Sequence, residues 1–79
     1  MPQPPFAIGR RWTRGMSRAR AIKRRVWHDP DTGYEYEPDP RPPYNRWHEI
    51  DAHANMYRDI DSQTGEPVNG SEGNWRTLK

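Results

Sequence analysis

Apolar residues are sparse in this 79-residue chain, and the two periodicities they follow are both short. Ala19, Ile22 and Val26 fall at i, i+3 and i+7 in a proline-free stretch, which gives one narrow stripe and predicts a short helix over residues 18–25 with Ser17 as its cap. Tyr34, Glu35, Tyr36 and Glu37 alternate with a strand's period of two. The turn residues from Asp29 to Gly33 precede them, and Asp61 to Gly65 repeats the same Asp-x-x-Thr-Gly spacing farther on. Asp, Thr and Gly at such spacing are turn formers, so both pieces read as β-hairpins. Residues 47–51 predict another short strand, and residues 75–78 can return as an edge strand after a loop over 69–74. Prolines at 38, 40, 42 and 43 forbid a helix or central strand there, leaving an extended connection. Residues 1–9, with three prolines, read as a lead or linker ahead of a single small domain at 10–79. The expected fold class is therefore α+β: a short N-terminal basic helix and a small twisted antiparallel β-sheet.

Composition weakens the aliphatic core and shifts weight to rings. Leu, Ile, Val and Phe together supply eight residues. That is about a tenth of the chain, below the roughly 20% under which disorder becomes a serious reading. Four Trp and four Tyr offset this, since each aromatic brings about 150–250 Å² of buriable surface. With no cysteine, neither a disulfide nor a thiolate metal site can staple so small a fold. No apolar run has the length of a membrane span or of a signal peptide's core.

Charge adds a functional direction. Arg10, Arg11, Arg14, Arg18, Arg20, Lys23, Arg24 and Arg25 precede every carboxylate, whereas all eleven acids follow from Asp29 onward against five cations. A net charge of +2 thus conceals a basic arm near +8 and an acidic body near −6. Such an arm suits a polyanion, because guanidinium forks match phosphate oxygens and counterion release adds affinity. The eight cations are the candidate nucleic-acid contacts, with Trp12 and Trp27 beside them able to stack on unpaired bases. The plain alternative is that the arm docks on the chain's own acidic half.

Two groups of titratable residues have chemical interest. His28, Asp29 and Glu35 cluster at the first hairpin, and metal-free RNA cleavage needs such a base and acid with a cation for the phosphorane. Arg76 is the candidate cation and His53 the reserve acid. His48 and His53 are five apart, whereas the helical zinc motif needs i and i+4, so no metal and no cofactor are expected. Ordinary turn chemistry at Asp29 to Gly33 remains the alternative to catalysis.

The order of these features resembles the cytotoxic ribonuclease domain of ribosome-inactivating colicins and cloacins. The residues that carry the resemblance are Arg11-Trp-Thr13, the basic stretch, Trp27 with Asp29 and Gly33, Asp61-Ser-Gln-Thr-Gly65, and Arg76, spread over residues 10–79. The family pattern runs Trp-Asp-x-x-His-Gly and then glutamates. Here the histidine place holds Thr32, the nearby imidazole is His28, and the glutamates shift by one to Glu35 and Glu37. The resemblance implies a bacteriocin-type toxin that binds RNA in the cytoplasm after delivery from outside as part of a longer secreted protein. It also implies metal-independent cleavage of ribosomal RNA through the 2′-OH and an acidic immunity protein as partner. A non-enzymatic packaging protein of a phage or ribonucleoprotein particle fits the same composition, as does a small inhibitor that folds on a host enzyme, and the residues alone leave the three classes open.

Overall fold

A computed structural model describes residues 3–6, 10–68 and 75–79. Six strands form one antiparallel sheet in sequential order: β1 (Thr13–Met16), β2 (Arg25–His28), β3 (Glu35–Pro38), β4 (Arg46–Asp51), β5 (Met56–Asp61) and β6 (Arg76–Thr77). The expectation of an α+β fold with an N-terminal helix is corrected, because the described residues contain no helix. Residues 17–24 instead form the loop between β1 and β2, closed by Met16 opposite Arg25 and by the Ser17 amide donating to the Arg24 carbonyl at 2.9 Å. An isolated helix of eight residues is short of the length that is stable in water, and here every charged residue is a cation, so no i,i+4 ion pair supports it. The stripe that predicted the helix is nonetheless buried, since Ala19 and Ile22 fold back onto Val26 and Ile50.

The two Asp-x-x-Thr-Gly segments turn in the same way. The Gly33 amide donates to the Asp29 carbonyl at 2.7 Å and the Gly65 amide to the Asp61 carbonyl at 2.8 Å. In each turn the aspartate side chain accepts backbone amides ahead of it, Asp31 in the first and Gln63 and Thr64 in the second. Both glycines adopt positive φ, which an L side chain rarely takes. At Gly65 a Cβ would also lie 3.0 Å from the Phe6 ring.

Register sorts the side chains onto two faces, because residues opposite one another across a pair of strands share a face. Trp27, Tyr36 and Glu49 lie in one row, and Trp47 opposes Ile60 on the same face. Phe6 closes this layer from the N-terminal segment, making ring contacts with Tyr36 and Trp47. The other face carries Val26 and Ile50 at one end, under the 17–24 loop, and a charged row at the other. No helix among the described residues is long and apolar enough to cross a membrane. The 69–74 loop expected from sequence lies outside the described residues.

Candidate functional site

The charged row is set by strand register. Glu37 on β3 opposes His48 on β4, which opposes Asp59 on β5, so three titratable side chains emerge side by side on one face. Asp39, just beyond β3, reaches the same imidazole. His48 Nδ1 lies 3.7 Å from Glu37 Oε1, and its Nε2 lies 3.3 Å from Asp39 Oδ2 and 3.6 Å from Asp59 Oδ1. The Tyr57 ring packs edge-on against the imidazole, with centroids 5.2 Å apart.

Four guanidiniums surround this group. Arg24 makes a two-pronged contact with Glu37 at 2.8 and 2.6 Å, and Arg41 does the same to Asp39 at 3.0 and 2.7 Å. Arg46 and Arg76 approach Asp59 Oδ2 at 3.5 and 3.2 Å, and Arg76 also lies 4.8 Å over the Tyr57 ring. Beside the row runs an open groove of about 670 Å³, onto which Glu37, His48, Arg24 and Arg76 all border.

Two of these carboxylates, Glu37 and Asp39, are held ionised. Burial acts to raise the Glu37 pKa, but hydrogen bonds and charge from His48 and Arg24 outweigh it and bring the carboxyl down to about 2. The Arg41 hydrogen bonds hold Asp39 well below the usual carboxylate range against a smaller opposing effect of burial. Three carboxylates facing four guanidiniums leave the region net positive. This bears on metals, since Asp39, His48 and Asp59 bring ligand atoms within 4.8 Å of one another. A cation placed there must displace or sit among Arg41, Arg46 and Arg76, which already neutralise both aspartates. An anion in turn competes with Glu37, Asp39 and Asp59 for these guanidiniums, but it enters a region of net positive charge.

The residues singled out from sequence are distributed over the molecule. His28 and Glu35 are cross-strand partners, with Nδ1 3.8 Å from Oε2. Both His28 nitrogens face structural partners, because Nε2 lies 3.2 and 3.1 Å from the Gly15 and Met16 carbonyls and must donate there. Glu35 is fully buried and accepts from the Ser17 hydroxyl at 2.5 Å and the Arg18 amide at 2.7 Å, which ties the basic loop to the sheet. Asp29 is buried in its turn and pairs with Arg10 at 3.0 Å. His53 is exposed in the β4–β5 turn and lines a separate hollow with Arg18 and Arg20. Arg76 alone of the five joins the His48 row.

The basic arm also divides. Arg10, Arg11 and Arg24 pair with Asp29, Asp31 and Glu37 of the acidic half, and Arg14 lies 5.2 Å over the Trp27 ring. Arg18, Arg20, Lys23 and Arg25 are exposed, with no ion pair to the described residues. Trp27 is buried, and Trp12 packs edge-on against Tyr36 at 5.1 Å, so these two indoles build the core instead of offering stacking platforms. Sequence reasoning noticed Glu37 and His48 separately but not as a pair. The available signal was the proline connector, because treating it as a hairpin loop sets the strand before it against the strand after it.

No protein-family model matches the chain, and no curated protein or solved structure is similar to it at a significant level.

Proposed function

We propose that the protein binds RNA and cleaves it without a metal, by attack of a ribose 2′-OH on the adjacent phosphate, with the His48 row as the reacting site. One observation carries this reading: an imidazole and an ionised carboxylate share the edge of a groove whose other charged side chains, Arg24, Arg76 and Lys79, are cations. His48 takes the proton from the 2′-OH as the 2′ oxygen bonds to phosphorus, with the ionised Glu37 orienting the imidazole at Nδ1. The same imidazole returns the proton to the 5′ oxygen as the P–O5′ bond breaks, leaving a 2′,3′-cyclic phosphate and a free 5′-hydroxyl. Arg24 and Arg76 flank the pair and supply fixed positive charge to the phosphorane, where charge builds in the transition state. Tyr57, in contact with both His48 and Arg76, holds the imidazole and one cation in their relative positions.

The sequence pointed instead to His28, Asp29 and Glu35, and the two assignments are separable by experiment. Purified protein is incubated with intact ribosomes and with naked RNA in chelator, and the product ends are identified. Expected are discrete fragments bearing 2′,3′-cyclic phosphate, lost in His48→Ala and retained in His28→Ala. Intact RNA after hours overturns the cleavage reading, and RNA binding without cleavage leaves the packaging role in its place.

A further inference from the structure

The groove beside the His48 row has two kinds of wall. Its floor is apolar, formed by the partly buried Tyr57 and Leu78, which pack over the fully buried Ile50 of the same small cluster. Its rims are cationic, with Arg24 on one side and Arg76 and Lys79 on the other. An apolar floor gives a phosphate nothing, and cationic rims give a base little. Together they fit a molecule that is flat and apolar on one part and anionic on another.

Size narrows the choice. About 670 Å³ falls within the roughly 300–1,000 Å³ of pockets that enclose one small organic ligand, not a double helix. The whole protein measures 28 × 26 × 23 Å. In a paired A-form helix the bases are stacked inside and the deep major groove closes them to side chains, so a base reaches such a floor only when it is unpaired. Resting on the cleavage reading above, we infer that the substrate is single-stranded or looped RNA, and that the groove is a subsite for one unpaired nucleotide. Its base lies on Tyr57 and Leu78, and its phosphate is held between Arg24 and Arg76, next to His48. The neighbouring loop extends the cationic surface through Arg25 and Lys23, both exposed and adjacent in sequence to Arg24. That loop is fixed in place by the Ser17 and Arg18 contacts to Glu35, so flanking phosphates meet a surface that needs no ordering on binding.

The test measures binding apart from cleavage, with a fluorescent oligonucleotide that lacks 2′-hydroxyls, either single-stranded or annealed to its complement. The single strand is expected to bind about tenfold tighter than the duplex at equal salt. Leu78→Ala should weaken single-strand binding about threefold to tenfold without changing its salt dependence, because the lost contact is apolar. Arg76→Ala should lower the slope of log affinity against log salt by about 0.7, the value for one phosphate contact on a single strand. Equal affinity for duplex and single strand, or an unchanged affinity in Leu78→Ala, overturns the base subsite. If RNA is cleaved in a His48-dependent way but duplex and single strand are cut alike, the subsite fails and the cleavage reading stands. If the oligonucleotide binds as expected while RNA stays whole, the cleavage reading fails and the subsite stands.

Discussion

The two faces of the sheet are built from the same strands and do opposite work. On one, Trp27, Tyr36, Trp47 and Ile60 are buried together with Phe6 in a layer of rings. On the other, the same β3, β4 and β5 present Glu37, His48 and Asp59, each touching a group of opposite or exchangeable charge. Trp47 and His48 are neighbours in sequence, yet the first packs between Phe6 and Ile60 and the second stands among three carboxylates. The comparison teaches a division of labour. In a chain this poor in aliphatics one face buries the large rings, at about 25 cal/mol per Å², while the other keeps its smaller cluster of Ala19, Ile22, Val26 and Ile50 at one end and holds charge at the other because arginines compensate it. Even the apolar face contains a buried acid. Glu49 accepts from the Tyr36 hydroxyl at 2.6 Å and from Arg58 at 2.7 Å, and burial together with that carboxylate raises the Tyr36 pKa.

Substitutions at adjacent positions of β4 should break this comparison most sharply. Trp47→Ala removes a buried indole and should cost about 3–5 kcal/mol, enough to abolish cooperative unfolding in a domain of this size. Urea or thermal melts followed by tryptophan fluorescence and circular dichroism check it, and a melt close to that of the parent would place the stability elsewhere. His48→Ala, one residue on, should keep the fold and reduce RNA cleavage about 10²–10⁴-fold, the usual worth of a general acid or base. A variant that cleaves like the parent refutes the assignment of that face.

Glu35 is the place where the charged face holds the basic loop, and its removal is expected to act on stability. Glu35→Ala leaves the Ser17 hydroxyl and the Arg18 amide without their acceptor, at a cost of about 1–3 kcal/mol. Hydrogen exchange should quicken at Arg18 and Ala19 before it quickens in β4 and β5, and uniform protection would show that the loop is held by Ala19 and Ile22 alone.

Acid should separate the faces further. Because the folded Glu37 carboxyl lies near 2 and its ordinary value is 4.5, its contribution is complete above about 4.5 and is lost as pH falls toward 2. Asp39, held low by Arg41, adds in the same direction at the acid end of that window. Arg24→Ala removes one of the groups that depress Glu37, so the loss of stability on acidification should still begin near pH 4.5 but be smaller and finish at higher pH than in the parent. Urea midpoints measured from pH 6 to pH 2 test this, and coincident curves would show that the Arg24 pair contributes nothing in solution. The smallest effect on the fold is expected from neutralising Arg18, Arg20, Lys23 and Arg25 together. These exposed cations should be silent in a melt while their loss flattens the salt dependence of RNA binding, and an unchanged slope would remove the loop from the interface.

Much of the local structure was readable along the chain. The two turns with Gly33 and Gly65 follow from residue chemistry that acts over four or five positions, and so do the strands at residues 46–51 and 76–77. The helix over 18–25 was misread for a physical reason. Its apolar stripe was real, but a loop that drops Ala19 and Ile22 onto Val26 and Ile50 buries the same residues while its ends pair as strands. Periodicity cannot distinguish those two outcomes.

The site was legible only in fragments. Sequence determined the charge asymmetry, the dependence on aromatic rings, and the turns that reverse the chain, because each depends on composition or on contacts a few residues apart. Tertiary structure alone decided that Glu37, Asp39, His48 and Asp59 converge, that Arg76 reaches them from the far edge strand, and that His28 turns inward to the Gly15 and Met16 carbonyls. Which side chains share a face of a sheet is set by strand register. A slip of one residue would send His48 to the aromatic side and Trp47 to the charged one, and it is the packing of the whole core that penalises such a slip.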